Sequence, residues 1–373
     1  MMEGRPRMEW SFGFAAVVCS LLVTPRSGFK RDQFWSLVVG IAVALALGEV
    51  ACRTLDIGAT VEKPVWELRS PSDRTSGVPY EPGSNLVFQY PDNPRGYFDS
   101  RNRVVGRVNS RGFRGEECRL AAPEDTVRIA VLGDSFTLGI GVRDEDTLPV
   151  QLEADLADLG VSTEALNFGL GGSSTVHQVI FLEKYVLQFD PDVVLLVVFL
   201  NDAGLPDTIP ILTRTRFLPA LRSRSFLLNA VATVIESRIS HRTLLRAYGS
   251  AFDEANPGWQ QMMACIRRAE ELSRERGFRL VVAVYPVLIR LDERYPFRHV
   301  HDQIGRSCRQ EGIMVIDLLE AFEGQLDRDM WVHRMDQHPN EVAQALAADM
   351  IASRLVESGV VGHGTRRSGP SSD

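Results

Sequence analysis

Cysteine is scarce in this sequence: five residues are scattered over 373 positions, with no closely spaced pair. That distribution does not suggest a disulfide framework or a cysteine-based zinc site. The chain also lacks a basic tail and has a formal net charge of -7, which argues against nucleic-acid binding. No repeat of about twenty to fifty residues is visible, so a solenoid or propeller is excluded.

Apolar residues are plentiful enough for a large core. They make up 45% of the chain, and charged residues make up 24%, which is typical of a globular protein. At 373 residues the chain exceeds the usual length of one domain. The composition therefore predicts either one large domain with insertions or two modest domains.

A long apolar run lies near the N-terminus, from Phe34 to Cys52, and its single charged residue is Glu49. A helix of this length covers about 28 Å, close to the hydrocarbon thickness of a bilayer. We predict a transmembrane helix over 34–52, after a cytoplasmic or first apolar segment over 1–33. The alternative is a cleaved signal peptide, because Ala44-Leu45-Ala46 resembles a processing site.

Basic residues determine the expected orientation. Arg26, Lys30 and Arg31 lie between an earlier, shorter apolar stretch, Trp10 to Val23, and the predicted span. Positive charge favours the cytoplasmic side of a membrane. Whether the chain crosses once or twice, everything after Arg53 then faces the extracytoplasmic side. The predicted location is the periplasm or the cell surface.

The rest of the chain divides by composition. Residues 53–102 are rich in proline, serine, threonine and charge and predict a stalk. Over 103–358, five short apolar runs alternate with segments of helical spacing, and an insertion occupies 203–256. This pattern predicts a three-layer α/β/α sandwich with a central parallel five-stranded sheet. Residues 359–373 predict a disordered tail.

Polar residues stand where these predicted strands end. The stretch "VLGDSFTLGIGV" places Ser135 after the first strand, and a glycine-rich corner over 167–175 follows the second. Asn201 ends the third strand, and Asp336 and His338 follow the fifth. Two residues apart in extended backbone, Asp336 and His338 can point the same way. Since ligands bind beyond the carboxyl ends of parallel strands, these groups meet the requirements for acyl transfer at one rim.

Other interpretations of these features stay open. A serine at the start of a helix is often only an N-cap. "GLGGSS" from Gly169 is close to a dinucleotide fingerprint, but it lacks the third glycine and follows the second strand, so we expect no cofactor and no metal.

Residues 203–250 contain seven arginines and two acidic residues, a net charge of +5. That segment is either a lid for anionic glycan or lipid headgroups, or an amphipathic helix pair.

In motif order and spacing the sequence resembles the SGNH hydrolases, also called the GDSL esterase superfamily, from about Arg103 to Val356. The matching positions are Gly133-Asp134-Ser135, Gly172, Asn201 with Asp202, and Asp336 with His338. The resemblance implies a flavodoxin-like fold and a triad of Ser135, His338 and Asp336. It also implies an oxyanion hole formed by the N–H groups of Ser135 and Gly172 and the side-chain amide of Asn201.

Two positions depart from the family pattern. Phe199 stands two residues before Asn201, at a position where the family usually has glycine. We expect its larger side chain to narrow the rim of the site near Asn201. Only Gln337 separates Asp336 from His338, where two residues are usual. The segment "NSRGFRG" before the domain is similar to that of membrane-anchored bacterial members.

The predicted function is that of a serine esterase, with O-acyl groups of a cell-envelope or extracellular polysaccharide as the expected substrate. Its expected partners are an acylated small molecule or glycan and the membrane, reached through the N-terminal helix; nucleic acid is not expected. One alternative is a polysaccharide O-acyltransferase that uses the same triad. Another is a catalytically silent glycan-binding protein.

Overall fold

A computed structural model of the chain describes residues 31–55, 57, 64–69, 78–203, 224–232 and 249–362. The chain forms two compact units. One comprises Met1–Thr60 and Thr213–Ser237, and the other comprises Val61–Leu212 and Arg238–Asp373. The early apolar stretch, the basic residues Arg26 and Lys30, most of the insertion and nearly all of the predicted tail lie outside the described residues.

The regular elements are numbered in chain order. The strands are β1 (Val65–Glu67), β2 (Asn85–Gln89), β3 (Arg103–Arg107), β4 (Val127–Gly133), β5 (Thr163–Gly169), β6 (Val193–Phe199), β7 (Arg279–Tyr285), β8 (Met314–Asp317), β9 (Trp331–His333) and β10 (Asp336–Pro339). The helices are α1 (Arg31–Thr54), α2 (Ser135–Leu138), α3 (Leu148–Asp158), α4 (Thr175–Lys184), α5 (Pro257–Arg276), α6 (Arg298–Gln310), α7 (Leu319–Phe322) and α8 (Glu341–Glu357).

The core of the second unit is a parallel five-stranded sheet in the order β5-β4-β6-β7-β8. Every residue of β4 and β6 is buried, as expected for central strands that are covered on both faces. Around the sheet, α3 packs against α8 and α4 packs against α5. The predicted α/β sandwich with a central parallel five-stranded sheet is confirmed.

The segment before this sheet is folded. The prediction of a stalk over 53–102 is wrong for its later part, because β1, β2 and β3 form an antiparallel sheet. We call this sheet, together with residues 90–102 between β2 and β3, the arm. Leu86, Phe88 and Tyr90 are almost fully buried and alternate with more exposed residues. That period of two buries one face of a sheet. The richness of the region in proline, serine and charge hides this alternation.

The "NSRGFRG" segment joins the arm to the parallel sheet. Asn109 Oδ1 accepts a hydrogen bond from the N–H of Phe113 (3.1 Å), which forms a tight turn. Phe113 then packs into the main core. The buried guanidinium of Arg114 donates to the carbonyls of Leu138 (2.9 Å) and Val142 (2.6 Å), directly after α2. This segment therefore fixes the loop that follows Ser135.

The first unit contains the predicted membrane span. Its helix α1 has 24 residues, and an 18-residue stretch within it has a mean hydropathy of 2.0, so the helix is long and apolar enough to cross a membrane. The predicted span over 34–52 lies within it. Among the described residues it is the single helix that meets this description.

Glu49, the one charged residue of the apolar run, is paired within the same unit. Its carboxylate accepts hydrogen bonds from Ser225 Oγ (2.8 Å) and from the N–H groups of Phe226 (3.1 Å) and Leu227 (3.0 Å). These donors begin the helical segment 226–232 of the insertion. A carboxylate in an apolar helix is unfavourable unless it is paired, so this cap offsets the charge.

Candidate active site

A tight turn between β4 and α2 presents Ser135 at the carboxyl edge of the parallel sheet. The Asp134 side chain caps α2 by accepting from the N–H of Phe136 (2.9 Å). A Cβ atom at Gly133 would lie 2.1 Å from Thr137 Oγ1, so this close approach requires glycine. The turn leaves the Ser135 side chain part-exposed while its neighbours are buried.

Three side chains form a continuous hydrogen-bonded chain at this edge. Ser135 Oγ lies 2.9 Å from His338 Nε2, and His338 Nδ1 lies 2.5 Å from Asp336 Oδ1. Because the carboxylate accepts from Nδ1, Nε2 is left as the acceptor for the serine hydroxyl. This arrangement can remove the proton of the hydroxyl during attack on a carbonyl.

Strand β10 orients the histidine and the aspartate. Asp336 and His338 are two positions apart in this extended segment, and the N–H of His338 also donates to Asp336 Oδ1 (3.1 Å). A hairpin with β9, which the sequence analysis missed, supports β10. Asn340 then caps α8 by accepting from the N–H of Ala343 (3.0 Å), so the chain turns away directly after the pair.

Two of the three residues expected to stabilise an oxyanion line the cleft beside His338, and the third does not. Ser135 and Asn201 both line the cleft, and Asn201 Nδ2 donates to Asp134 Oδ2 at 3.3 Å. Gly172 follows β5, is exposed and has a positive φ of 74°. The described residues that line the cleft do not include Gly172.

Asp336 is held in its ionised form. Burial pushes its pKa upward, but the hydrogen bond and charge of His338, together with hydrogen bonds from the His338 N–H and the Tyr90 hydroxyl, lower the pKa below its usual value. The Tyr90 hydroxyl donates to Asp336 Oδ2 at 2.8 Å. Sequence reasoning missed Tyr90 because it lies in the segment predicted as a stalk.

The site opens into a cleft of about 700 Å³. Its lining residues are Pro64, Trp66, Ser135, Phe136, Phe199, Asn201, Val287, Leu288, Met335, Asp336, Gln337 and His338. Trp66, also from the predicted stalk, meets the His338 ring edge to face, with 5.2 Å between centroids. Phe199 packs on Phe136 at 4.2 Å and occupies the rim. The described part of the chain has no cluster of three or more residues suited to holding a metal ion.

A second buried carboxylate lies beneath the site. Asp202 accepts from Thr175 Oγ1 (3.0 Å) and from the N–H of Phe199 (3.1 Å), which joins the end of β6 to the start of α4. Burial, and then the neighbouring charge of Asp134, raise the pKa of Asp202 well above its usual value. Burial also raises the pKa of Asp134. Both groups therefore suit a bracing role under the turn.

This architecture, with a serine and a histidine in contact at the carboxyl edge of a parallel sheet, is that of an ester-bond hydrolase of the SGNH type. The model of the GDSL-like lipase/acylhydrolase family matches residues 131–346, more than half of the chain. The protein belongs to that family. The predicted resemblance and the predicted enzyme class are confirmed.

Solved structures give distant matches. A two-domain esterase active on acetylated mannans, co-crystallized with mannopentaose, is 14% identical over 62% of this chain and 49% of its own, about half its length, with a TM-score of 0.40. A lipase/acylhydrolase from Enterococcus faecalis is 18% identical over 64% and 98%, with a TM-score of 0.39. A Clostridium thermocellum family 3 carbohydrate esterase is 16% identical over 64% and 100%, with a TM-score of 0.40. The search of curated proteins found no match.

The raised pKa of Asp202 predicts a pH-dependent stability. A carboxyl group with a raised pKa in the folded state stabilises the fold at low pH, and that contribution is lost as pH rises from about 4 towards the folded-state pKa. Asp202→Asn cannot ionise. We expect its free energy of unfolding, measured by urea titration in detergent micelles, to fall less than that of the wild type between about pH 5 and pH 8.

Asp158→Asn, at an exposed position on α3, is the control and should follow the wild-type slope. Parallel curves for the wild type and Asp202→Asn across this pH range would contradict the prediction.

Proposed function

We propose that the protein is a membrane-anchored serine esterase that removes O-acyl groups from a cell-envelope or extracellular polysaccharide. Ser135 is the nucleophile, His338 the general base and Asp336 the residue that orients the imidazole. The observation that carries this proposal is the unbroken contact from Ser135 Oγ through His338 to Asp336. Membership of an acylhydrolase family supports the reaction class.

In the acylation step Ser135 Oγ attacks the ester carbonyl carbon while His338 Nε2 takes the hydroxyl proton. The carbonyl π electrons move to oxygen and give a tetrahedral oxyanion. When it collapses, the bond to the alcohol oxygen breaks, and His338 returns the proton to that oxygen. The ionised Asp336 stabilises the imidazolium that exists between these two transfers.

The oxyanion requires donors that point at the carbonyl oxygen. We assign this role to the N–H groups of Ser135 and Gly172 and to the Asn201 amide. The position of Asn201 on the cleft, braced by Asp134, supports its assignment. Loss of one such donor typically slows turnover by about 10²–10³.

Water completes the cycle. His338 Nε2 removes a proton from a water molecule as that water attacks the acyl carbon. The bond between the acyl carbon and Ser135 Oγ then breaks, and His338 gives the proton to Ser135 Oγ. The products are a carboxylic acid and the free serine. An acyl acceptor hydroxyl in place of this water would make the protein an O-acyltransferase.

The exposed part of Trp66 supports a glycan as the substrate. Its residue surface is 42% exposed at the mouth of the cleft, although its ring contacts His338. An indole that is apolar on its faces and adjacent to the reacting atoms can pack against the carbon–hydrogen face of a sugar ring. Such packing would place an acylated hydroxyl of that sugar near Ser135.

The membrane location is supported by α1 and by the charges that precede it. The helix is long and apolar enough to cross a bilayer. Arg26 and Lys30 precede the helix and Arg31 is its first residue, and these positive charges favour a cytoplasmic N-terminal side. The active-site unit would then face the cell envelope, where acylated polysaccharides occur.

Ser135→Ala tests the esterase assignment. Full-length protein in detergent micelles is incubated with acetylated sugars and short-chain nitrophenyl esters, and released acid is measured. Without the nucleophile, we expect acid release to fall by about 10⁴-fold or more. Ser110→Ala, which changes an exposed serine paired with Glu117, is the matched control and should retain activity.

The same assay separates the alternatives. Acid release without any acceptor supports hydrolysis, whereas acyl transfer seen only with an added sugar acceptor identifies a transferase. Folded wild-type protein that binds acylated sugars without turning over any ester would contradict catalysis and identify a binding protein.

Trp66→Ala tests the glycan assignment. We expect kcat/KM for an acetylated oligosaccharide to fall about tenfold more than kcat/KM for nitrophenyl acetate, because only the sugar uses the ring face. The ratio of the two values removes any shared effect that acts through His338. An equal loss for both esters would refute a sugar-packing role.

A further inference from the structure

The catalytic edge receives a side chain from the arm. Tyr90 directly follows β2, and its hydroxyl reaches Asp336 Oδ2 at 2.8 Å across 246 positions of sequence. Asp336 is 5% exposed and Tyr90 is 1% exposed, so this contact is closed to bulk water. A hydrogen bond in such surroundings is stronger than one at the surface, and its loss leaves a polar atom unsatisfied.

The two oxygens of Asp336 have different partners. Oδ1 accepts from the side chain and from the N–H of His338, while Oδ2 accepts from Tyr90. With Gln337 as the single intervening residue, the strand directs one edge of the carboxylate to its own histidine. The opposite edge depends on a donor from another segment, and the arm supplies one.

The Tyr90 ring is held on several sides. It stacks on Phe98 with 4.5 Å between centroids and an interplanar angle of 6°, and it lies 5.5 Å from the ring of His333. His333 is itself fixed by Asp92, 2.6 Å from its Nε2. At Gly141 a Cβ atom would lie 2.3 Å from the Tyr90 hydroxyl, so glycine leaves the space that the hydroxyl occupies. These contacts fix the direction in which the hydroxyl points.

The Tyr90 hydroxyl is suited to donate its proton to Asp336, and it also has a side-chain hydrogen bond with Trp66. Burial, followed by the charge and hydrogen bond of Asp336, raises the pKa of Tyr90 well above its usual value. The phenol therefore keeps its proton throughout the pH range in which an esterase works. Its proton remains directed at the carboxylate.

We propose that Tyr90 is a positioning residue for the Asp336–His338 pair, and that the arm is therefore part of the catalytic unit. This inference rests on the proposed esterase function. Tyr90 holds the Asp336 carboxylate by its far edge, which fixes the plane of the carboxylate and hence the direction of the imidazole. The arm thus compensates for the short spacing between Asp336 and His338.

Several titratable groups surround the pair and bear on its pH response. His338 lies on β10, His333 on β9 and Tyr90 directly after β2, and Asp134, on which the charge of His338 acts, lies at the turn before α2. A change at Tyr90 alone leaves the other groups in place. The pH profile of a single-atom variant therefore reports on the hydroxyl.

The test is Tyr90→Phe in the full-length protein in detergent micelles, with nitrophenyl acetate as the substrate. The variant keeps the ring and its stacking but removes the donor. We expect kcat/KM to fall about tenfold, mainly through kcat. The Tyr90 hydroxyl lowers the pKa of Asp336, so its removal raises that pKa. The acid limb of the kcat/KM profile, which reports on Asp336 and His338 together, should therefore move to higher pH.

Tyr97→Phe is the matched control. Tyr97 also lies in the arm, and its hydroxyl contacts Asp146 and the N–H of Arg143, away from the catalytic side chains. We expect this variant to keep the wild-type acid limb. Wild-type kcat and an unmoved acid limb in Tyr90→Phe would overturn the proposal.

A second measurement is independent of activity. The proton in the short hydrogen bond between His338 Nδ1 and Asp336 should give a downfield proton resonance. We expect that resonance to shift in Tyr90→Phe and to stay in place in Tyr97→Phe. If the wild type hydrolyses no ester, the proposed function fails, while this resonance still tests the positioning role; an unchanged resonance in Tyr90→Phe overturns it.

Discussion

The contact between Asp336 and His338 on one short strand is the constraint on which the rest of the site depends. Extended backbone puts residues two positions apart on the same side, so the carboxylate and imidazole meet without help from another element. Two atoms of the pair then need partners from other elements: the second ring nitrogen of His338, Nε2, and the second carboxylate oxygen of Asp336, Oδ2. Ser135 meets the first from the end of β4, and Tyr90 meets the second from the arm.

Because the arm contacts the site, the folded unit that contains the site begins earlier in the chain than the parallel sheet does. A boundary drawn just before β4 would remove Tyr90, which contacts Asp336, and Trp66, which contacts His338. It would also remove Arg114, which holds the loop after α2. The arm buries Leu86, Phe88 and Tyr90 on one face, which a flexible stalk would not do. We therefore place the start of the catalytic unit before Pro64, where the cleft lining begins.

Much of the fold was predictable because its causes are local. The strands β4, β6 and β7 are mainly apolar, and the family resemblance implied roles for Ser135 and His338. The hairpin β9–β10 escaped prediction because strands of three or four residues give almost no periodic signal. Tyr90 escaped for another reason: the alternation in "NLVFQY" is a strand signal, but no local pattern reveals a partner 246 positions away.

Peptide mapping after treatment with a fluorophosphonate tests the central claim most directly, because this probe reacts preferentially with a hydroxyl that a neighbouring base has activated. The account predicts one modification, on the peptide that contains Ser135, and its loss when His338 is replaced by alanine. Folded protein that stays unmodified, or that carries the label on another residue, would contradict it.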